Sequence, residues 1–234
     1  MSATDVMLDA ELVILDVDGT LMDSNYQHVL AWVEAFSAHG HDIPAWRIHR
    51  HLGMGGDQLI GSVAGPDVEA RDGEGIRDTH ARVYIDRYLP VVTPFDDALP
   101  FLRGLREQRR RVVIASSAEE HELERYRELL SADSLTDGAT SAADVDRTKP
   151  APDLLQAALD LGGGGPAVMV GDSVWDCAAA EPLSIPVIAV LTGGFGEDEL
   201  RAAGAVAVVP SLASLATAAD RDPLTAAAGL DPLT

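Results

Sequence analysis

Residues Leu12-Val-Ile-Leu15 form a short apolar run that stops on Asp16, Asp18 and Gly19, and this stretch restricts the chain to few folds. The run is β-rich and free of turn formers, so it reads as a strand buried on both faces. Strands of that kind belong to open α/β sheets, where ligands bind beyond the carboxyl ends of the strands. Asp16 and Asp18 sit at such an end, two residues apart, with no basic neighbour in sequence. Carboxylates held that close repel each other and are costly to bury. A hard divalent cation such as Mg2+ relieves the repulsion through oxygen ligands. The plainer alternative is a strand followed by an Asp-rich turn.

The rest of the chain alternates between two patterns. From Tyr26 to His39, Val29, Trp32, Val33 and Phe36 recur at helical spacing, with Ser24 or Asn25 available as a cap and Gly40 as a stop. Helices are predicted near 45–52, 57–64 and 74–89, and no strand pattern occurs between 24 and 90. Residues 24–91 are therefore expected to form an all-helical insertion, since an ordinary crossover is shorter. Beyond them, helices are expected over 96–105, 119–130 and 152–161, and strands over 111–116, 167–170, 186–191 and 206–209. Strands alternating with helices imply an α/β fold with a Rossmann-like parallel sheet covered on both faces. The expected division is a core of residues 1–23 and 92–234, with 218–234 a weakly ordered tail, and a helical unit of residues 24–91.

The charge balance removes whole classes of partner. Seventeen basic against 38 acidic residues give a net charge of −21. Nucleic acid and anionic membrane surfaces are bound through Lys and Arg, so neither is expected here. An anionic substrate must be attracted locally, against the overall field. Only one of the basic residues is a lysine, Lys149, and the others are all arginine. Lysine is a compact point charge that arginine does not replace in a tight site. The single cysteine, Cys177, fits a reducing compartment. No secretory signal or membrane-spanning stretch is visible, so a cytoplasmic protein is expected. Monomer and homodimer both remain open.

Three further segments place polar groups at strand or loop ends. Ser116 and Ser117 follow a predicted strand, where a hydroxyl and successive amides form an anion nest or simply cap a helix. Lys149 stands in Arg147-Thr-Lys-Pro-Ala-Pro-Asp153, just before a helix whose dipole favours anions at that end. Something anionic is expected beside it. Asp172 and Asp176 follow a strand in Val168-Met-Val-Gly-Asp-Ser-Val-Trp-Asp176, one helical turn apart, and Asp172 is also a plausible helix cap.

Taken in order, D-x-D-G-T-L, the Ser116 turn, K-P-x-P-D and G-D-x-x-x-D resemble the four motifs of the haloacid dehalogenase (HAD)-like hydrolase superfamily. The resemblance covers nearly the whole chain. It implies a helical C1-type cap over residues 24–91 and a Mg2+-dependent phosphatase working through an aspartyl phosphate. Asp16 is then the nucleophile and Asp18 the acid and base, while Lys149, Ser116 and the amide of Ser117 hold the phosphoryl group. The metal falls to Asp16, the backbone carbonyl of Asp18, and Asp172, with Asp176 ligating through water or orienting the site. Asp23, Tyr26, His28, Trp32 and Thr192-Gly-Gly-Phe195 are similar to the phosphoglycolate phosphatase and β-phosphoglucomutase branch. The substrate is then a small phosphorylated metabolite. Arg50, Gly53, Gly55 and Gly56 in the cap loop are candidate substrate residues. A phosphomutase on the same scaffold is the alternative, and a non-catalytic binding protein a further one. The cap contains no lysine, which argues against Schiff-base phosphonate chemistry.

Overall fold

The computed structural model describes residues 2–215; the tail expected over 218–234 lies outside them. Six strands form one parallel sheet: β1 (Leu12–Leu15), β2 (Arg111–Ala115), β3 (Gly138–Thr140), β4 (Ala167–Gly171), β5 (Val187–Val190) and β6 (Ala207–Val209). Their order is β3-β2-β1-β4-β5-β6, which puts β1 at the centre between β2 and β4.

Alternation along the strands builds two cores. Val13 and Leu15 face one side of the sheet, and Leu12 and Ile14 face the other. Helices α1 (Ala3–Asp9), α6 (Ala98–Glu107) and α7 (Glu120–Leu129) cover the first face through Val6, Phe101, Leu105, Leu123 and Tyr126. Helices α9 (Asp153–Leu161), α10 (Val174–Ala180) and α11 (Glu197–Ala202) cover the second through Leu154, Leu155, Ala179 and Leu200. A short α8 (Ala132–Leu135) precedes β3.

Between β1 and β2 the chain is helical. Helices α2 (Asn25–Ala38), α3 (Ala45–His49), α4 (Gly56–Ala64) and α5 (Pro66–Val83) enclose a third apolar cluster that includes Trp32, Phe36, Ile48, Leu59, Ile60 and Ile76. The two chain crossings into this unit lie side by side, with the Asp23 amide donating to Thr93 O at 3.0 Å and the Phe95 amide to Leu21 O at 3.0 Å.

Helix α5 begins eight residues earlier than the predicted 74–89. Glycine separates the predicted helices, yet a Cβ on Gly73 or Gly75 would meet the side chain of Glu69 or His39 at under 3 Å. Those glycines serve close packing inside a helix started by Pro66 and the acidic first turn at Asp67 and Glu69. α1 and β3 were not expected. Gly-Ala-Thr carries no strand signal, and its pairing comes wholly from β2. Among the described residues, no helix is long and apolar enough to cross a membrane.

Candidate active site

In-register pairing of Leu15 with Ile114 and with Val170 aligns the carboxyl ends of β1, β2 and β4. Asp16, Ser116 and Asp172 therefore emerge side by side from three neighbouring strands. Lys149 reaches them from the loop before α9. Its side chain is fully buried, and its Nζ hydrogen-bonds Asp16 Oδ1 and ion-pairs Asp176 Oδ1 at 2.8 Å. The anionic partner expected beside this lysine is thus a pair of carboxylates. Asp176 is bound at both oxygens, because its Oδ2 accepts from the Ser173 hydroxyl at 2.7 Å and the Ser173 amide at 3.0 Å. Ser173, not Asp172, caps α10. That leaves Asp172 free for the site.

Asp172 is held by residues that sequence inspection did not assign to the site. Thr20 Oγ1 donates to its Oδ1 at 3.0 Å and Asn25 Nδ2 to its Oδ2 at 3.0 Å. Asn25 also donates to Gly193 O at 3.3 Å. Ser24, the other expected cap, makes no cap hydrogen bond and instead donates to Asp18 Oδ1 at 2.5 Å. Two adjacent polar residues where one cap suffices were the available signal.

Carboxylate oxygens of Asp16, Asp172 and Asp176 lie within 4.8 Å of one another, all three residues being buried. One ammonium against three carboxylates leaves a buried deficit of positive charge. Burial pushes the Asp16 carboxyl up to about 7, with Lys149 pulling it down and Asp176 and Asp18 pushing it further up. Asp172 is held well above the usual range by burial and by the charges of Asp16 and Asp176. An all-oxygen donor set with excess negative charge fits a hard divalent cation. The side chain of Asp18 is not part of this cluster.

Asp18 points the other way, into a network on the helical unit. His28 Nε2 lies 3.2 Å from Asp18 Oδ1 and 3.3 Å from the Tyr126 hydroxyl, and His28 Nδ1 is 3.2 Å from His80 Nε2. His28 stacks on Tyr84 and His80 on Trp32, each pair with ring centroids 3.8 Å apart. Burial alone would raise the Asp18 pKa, but His28 and the hydrogen bonds from His28, Ser24 and Tyr126 bring it below the ordinary value.

A cavity of about 330 Å3 opens onto Asp16 and Asp18 and is roofed by the loop 52–56. Gly53, Gly55 and Gly56 line it, together with Ser117. The roof is tied to the core: Ser117 Oγ donates to Gly53 O at 3.3 Å, the Gly55 amide donates to Thr148 Oγ1 at 3.0 Å, and Thr148 also bonds Asp57. Ser116 Oγ accepts from the Ala118 amide at 3.1 Å, inside the β2–α7 turn. Arg50 is a correction. It ion-pairs Glu199 and lies 4.4 Å over the Phe195 ring, outside the cavity, because the residue that ends α3 turns toward α11. The arginine lining the cavity is Arg77 on α5.

Comparison with known proteins decides the ancestry of this arrangement. A model of the haloacid dehalogenase-like hydrolases matches residues 10–183. The chain belongs to the haloacid dehalogenase-like hydrolase family. The fold of this chain is shared by a hydrolase from Pseudomonas syringae, 30% identical, with a TM-score of 0.83 over 89% of this chain and 97% of that one. CbbY from Rhodobacter sphaeroides, solved in complex with phosphate, shares the fold at 20% identity and a TM-score of 0.71, over 88% of this chain and 96% of that one. Among curated proteins, SUPPRESSOR OF QUENCHING 1 of Arabidopsis thaliana, a chloroplastic protein, is 27% identical over 197 residues. That match takes in 81% of this chain but spans only 19% of the relative's length.

Proposed function

We propose that this HAD-family chain is a Mg2+-dependent phosphatase of a small phosphorylated metabolite, working through an aspartyl phosphate on Asp16. The observation that carries the proposal is Lys149, wholly buried between Asp16 and Asp176, with Asp16 itself opening onto a cavity that Asp18 also lines. A buried ammonium against a carboxylate suits a nucleophile that must approach an anionic phosphoryl group.

In this reading Asp16 attacks phosphorus in line while Lys149 Nζ neutralises the phosphoryl oxygens. Ser116 and the Ser117 amide hold that group at the β2 end. The Asp18–His28 pair holds a proton between Asp18 Oδ1 and His28 Nε2, from which the leaving oxygen is protonated. Asp18 then takes a proton from water as the aspartyl phosphate is hydrolysed. Mg2+, when bound by Asp16, Asp172 and the Asp18 carbonyl, supplies charge compensation for the phosphoryl group. Asp176 positions Lys149 and stays off the reacting atoms.

The helical residues 24–91 are assigned as a cap over a core of residues 1–23 and 92–234, and Gly53, Gly55 and Gly56 as the part of it that meets substrate. The lone buried Cys177 supports a cytoplasmic setting. The test is phosphate release from a panel of phosphorylated metabolites with and without Mg2+, beside Asp16→Asn. Release that requires Mg2+ and falls at least about a thousandfold in the variant is expected. Retained turnover in Asp16→Asn would overturn the assignment.

A further inference from the structure

The cavity lining carries a group that the chemistry above does not use. Glu122, on α7, lines the cavity and is only 2% exposed. The Glu119 backbone hydrogen-bonds its carboxyl, among the described residues no side chain does, and His121 Nε2 lies 3.9 Å away. Burial, together with the charges of Asp18 and Glu119, pushes its carboxyl up to about 7 against the pull of His28. A buried carboxyl with backbone support from Glu119 but no side-chain donor is costly unless something that enters the cavity also donates to it.

Of the basic groups lining the cavity, Arg77, His28 and His80 are already committed, His28 to Asp18. Arg77 ion-pairs Glu69 at 2.7 Å and reaches Gly56 O at 3.4 Å. Burial and the neighbouring His28 hold His80 neutral. Asp78 and Glu119 add exposed carboxylates at the cavity mouth. Trp32, stacked on His80, supplies an apolar ring to the cavity lining, suited to the carbon–hydrogen faces of a polyol. A carboxylate or a second phosphate on the leaving group would meet carboxylates here with no free arginine or lysine among the described lining residues. A hydroxyl would meet an acceptor.

We propose that the leaving group is a neutral polyhydroxy alcohol, that one of its hydroxyls donates to Glu122, and that Glu122 rejects phosphate esters bearing a second anionic group. This rests on the phosphatase reading and specifies its substrate class as polyol or sugar phosphates. It also disfavours a bisphosphate, which a phosphomutase must hold.

Glycerol 3-phosphate and 3-phosphoglycerate form a matched pair, since they differ in one terminal group, CH2OH against carboxylate. Steady-state kinetics with Mg2+ would be measured on both, and on p-nitrophenyl phosphate, for the wild type and Glu122→Gln. The wild type is expected to favour glycerol 3-phosphate by about tenfold or more in kcat/KM. In Glu122→Gln the gap should shrink to about threefold or less, chiefly through a lower KM for 3-phosphoglycerate. Equal or reversed preference in the wild type overturns the inference, as does an unchanged ratio in a folded Glu122→Gln. If that variant does not fold, Glu122→Asp keeps the charge but shortens the reach, and should raise KM for glycerol 3-phosphate while still rejecting 3-phosphoglycerate. An unaltered KM there counts against the hydroxyl contact. Hydrolysis of p-nitrophenyl phosphate with a preference for the carboxylate ester defeats this inference alone. Silence of the wild type on all three esters defeats it together with the phosphatase reading.

Discussion

Gly193→Ala tests the placement of Asp172. A Cβ at position 193 would lie 1.6 Å from Asp172 Oδ2 and 2.3 Å from its Cγ. An ordinary carbon contact is about 3.5 Å, so the carboxylate must retreat by about 2 Å or the backbone at 193 must move. The first route breaks the 3.0 Å hydrogen bonds from Thr20 and Asn25. Hydrogen bonds to a charged group are worth about 1.5–3 kcal/mol each, so the loss is roughly 3–6 kcal/mol. The second route breaks the bonds that Gly193 O accepts from Asn25 and His49, at 3.3 and 2.9 Å, a smaller loss of roughly 1–3 kcal/mol because the carbonyl is neutral. For a chain of this size the melting temperature should fall by on the order of 10 °C. A group displaced by about 1 Å also costs about a hundredfold in rate. The assay is phosphate release against Mg2+ concentration, paired with thermal unfolding. We expect turnover down at least about a hundredfold and a clear rise in the Mg2+ concentration for half-activity. Gly104→Ala is the control: its Cβ meets nothing within 4 Å on α6, and it should gain about 0.5–1 kcal/mol with Mg2+ dependence unchanged. Wild-type turnover and Mg2+ dependence in Gly193→Ala would refute the packing on which the site rests.

Two further outcomes follow from the buried charges. Lys149→Met strands Asp16 and Asp176 without their cation, so phosphate release should disappear and metal-free stability should drop by about 3–5 kcal/mol by denaturant titration; an unchanged midpoint would contradict the buried pairing. Metal-free stability should also depend on pH. Asp16 and Glu122 are both raised to about 7, so the folded chain holds these protons more tightly than the unfolded one. Their penalty is absent below the unfolded carboxylate range, grows as pH rises from about 4 to 7, and is complete above that. His80, kept neutral by burial, opposes this trend below about pH 6.5. Denaturation series in EDTA should show stability declining between pH 6.5 and 7.5, with Glu122→Gln flattening the slope; stability that rises across that interval would contradict both assignments.

Much of the fold was legible because it depends on local pattern. The run Leu12–Leu15 announced a strand covered on both sides, and the alternation of strands with helices announced a parallel sheet. Helix limits were harder to read where glycine served packing, as at Gly73 and Gly75 in α5. β3 was invisible because three small residues become a strand only when β2 offers them an edge.

For the site, sequence alone singled out Asp16, Asp18, Ser116, Lys149 and Asp172, since each stands at the end of a strand or in the loop before a helix. It did not tell which carboxylate Lys149 would meet, nor that Asp18 would turn away toward His28 while Asp16 turned toward the lysine. It named Arg50 where Arg77 lines the cavity, gave Thr20 and Asn25 no role in the site, and left Glu122 unremarked. Residue type and strand position determine which groups arrive at the sheet's carboxyl edge, because those follow from periodicity along the chain. Which groups face one another, and which are left buried without a side-chain donor, depends on contacts between distant segments, such as Asn25 and Gly193, 168 residues apart, and those exist only once the helical unit packs against the sheet.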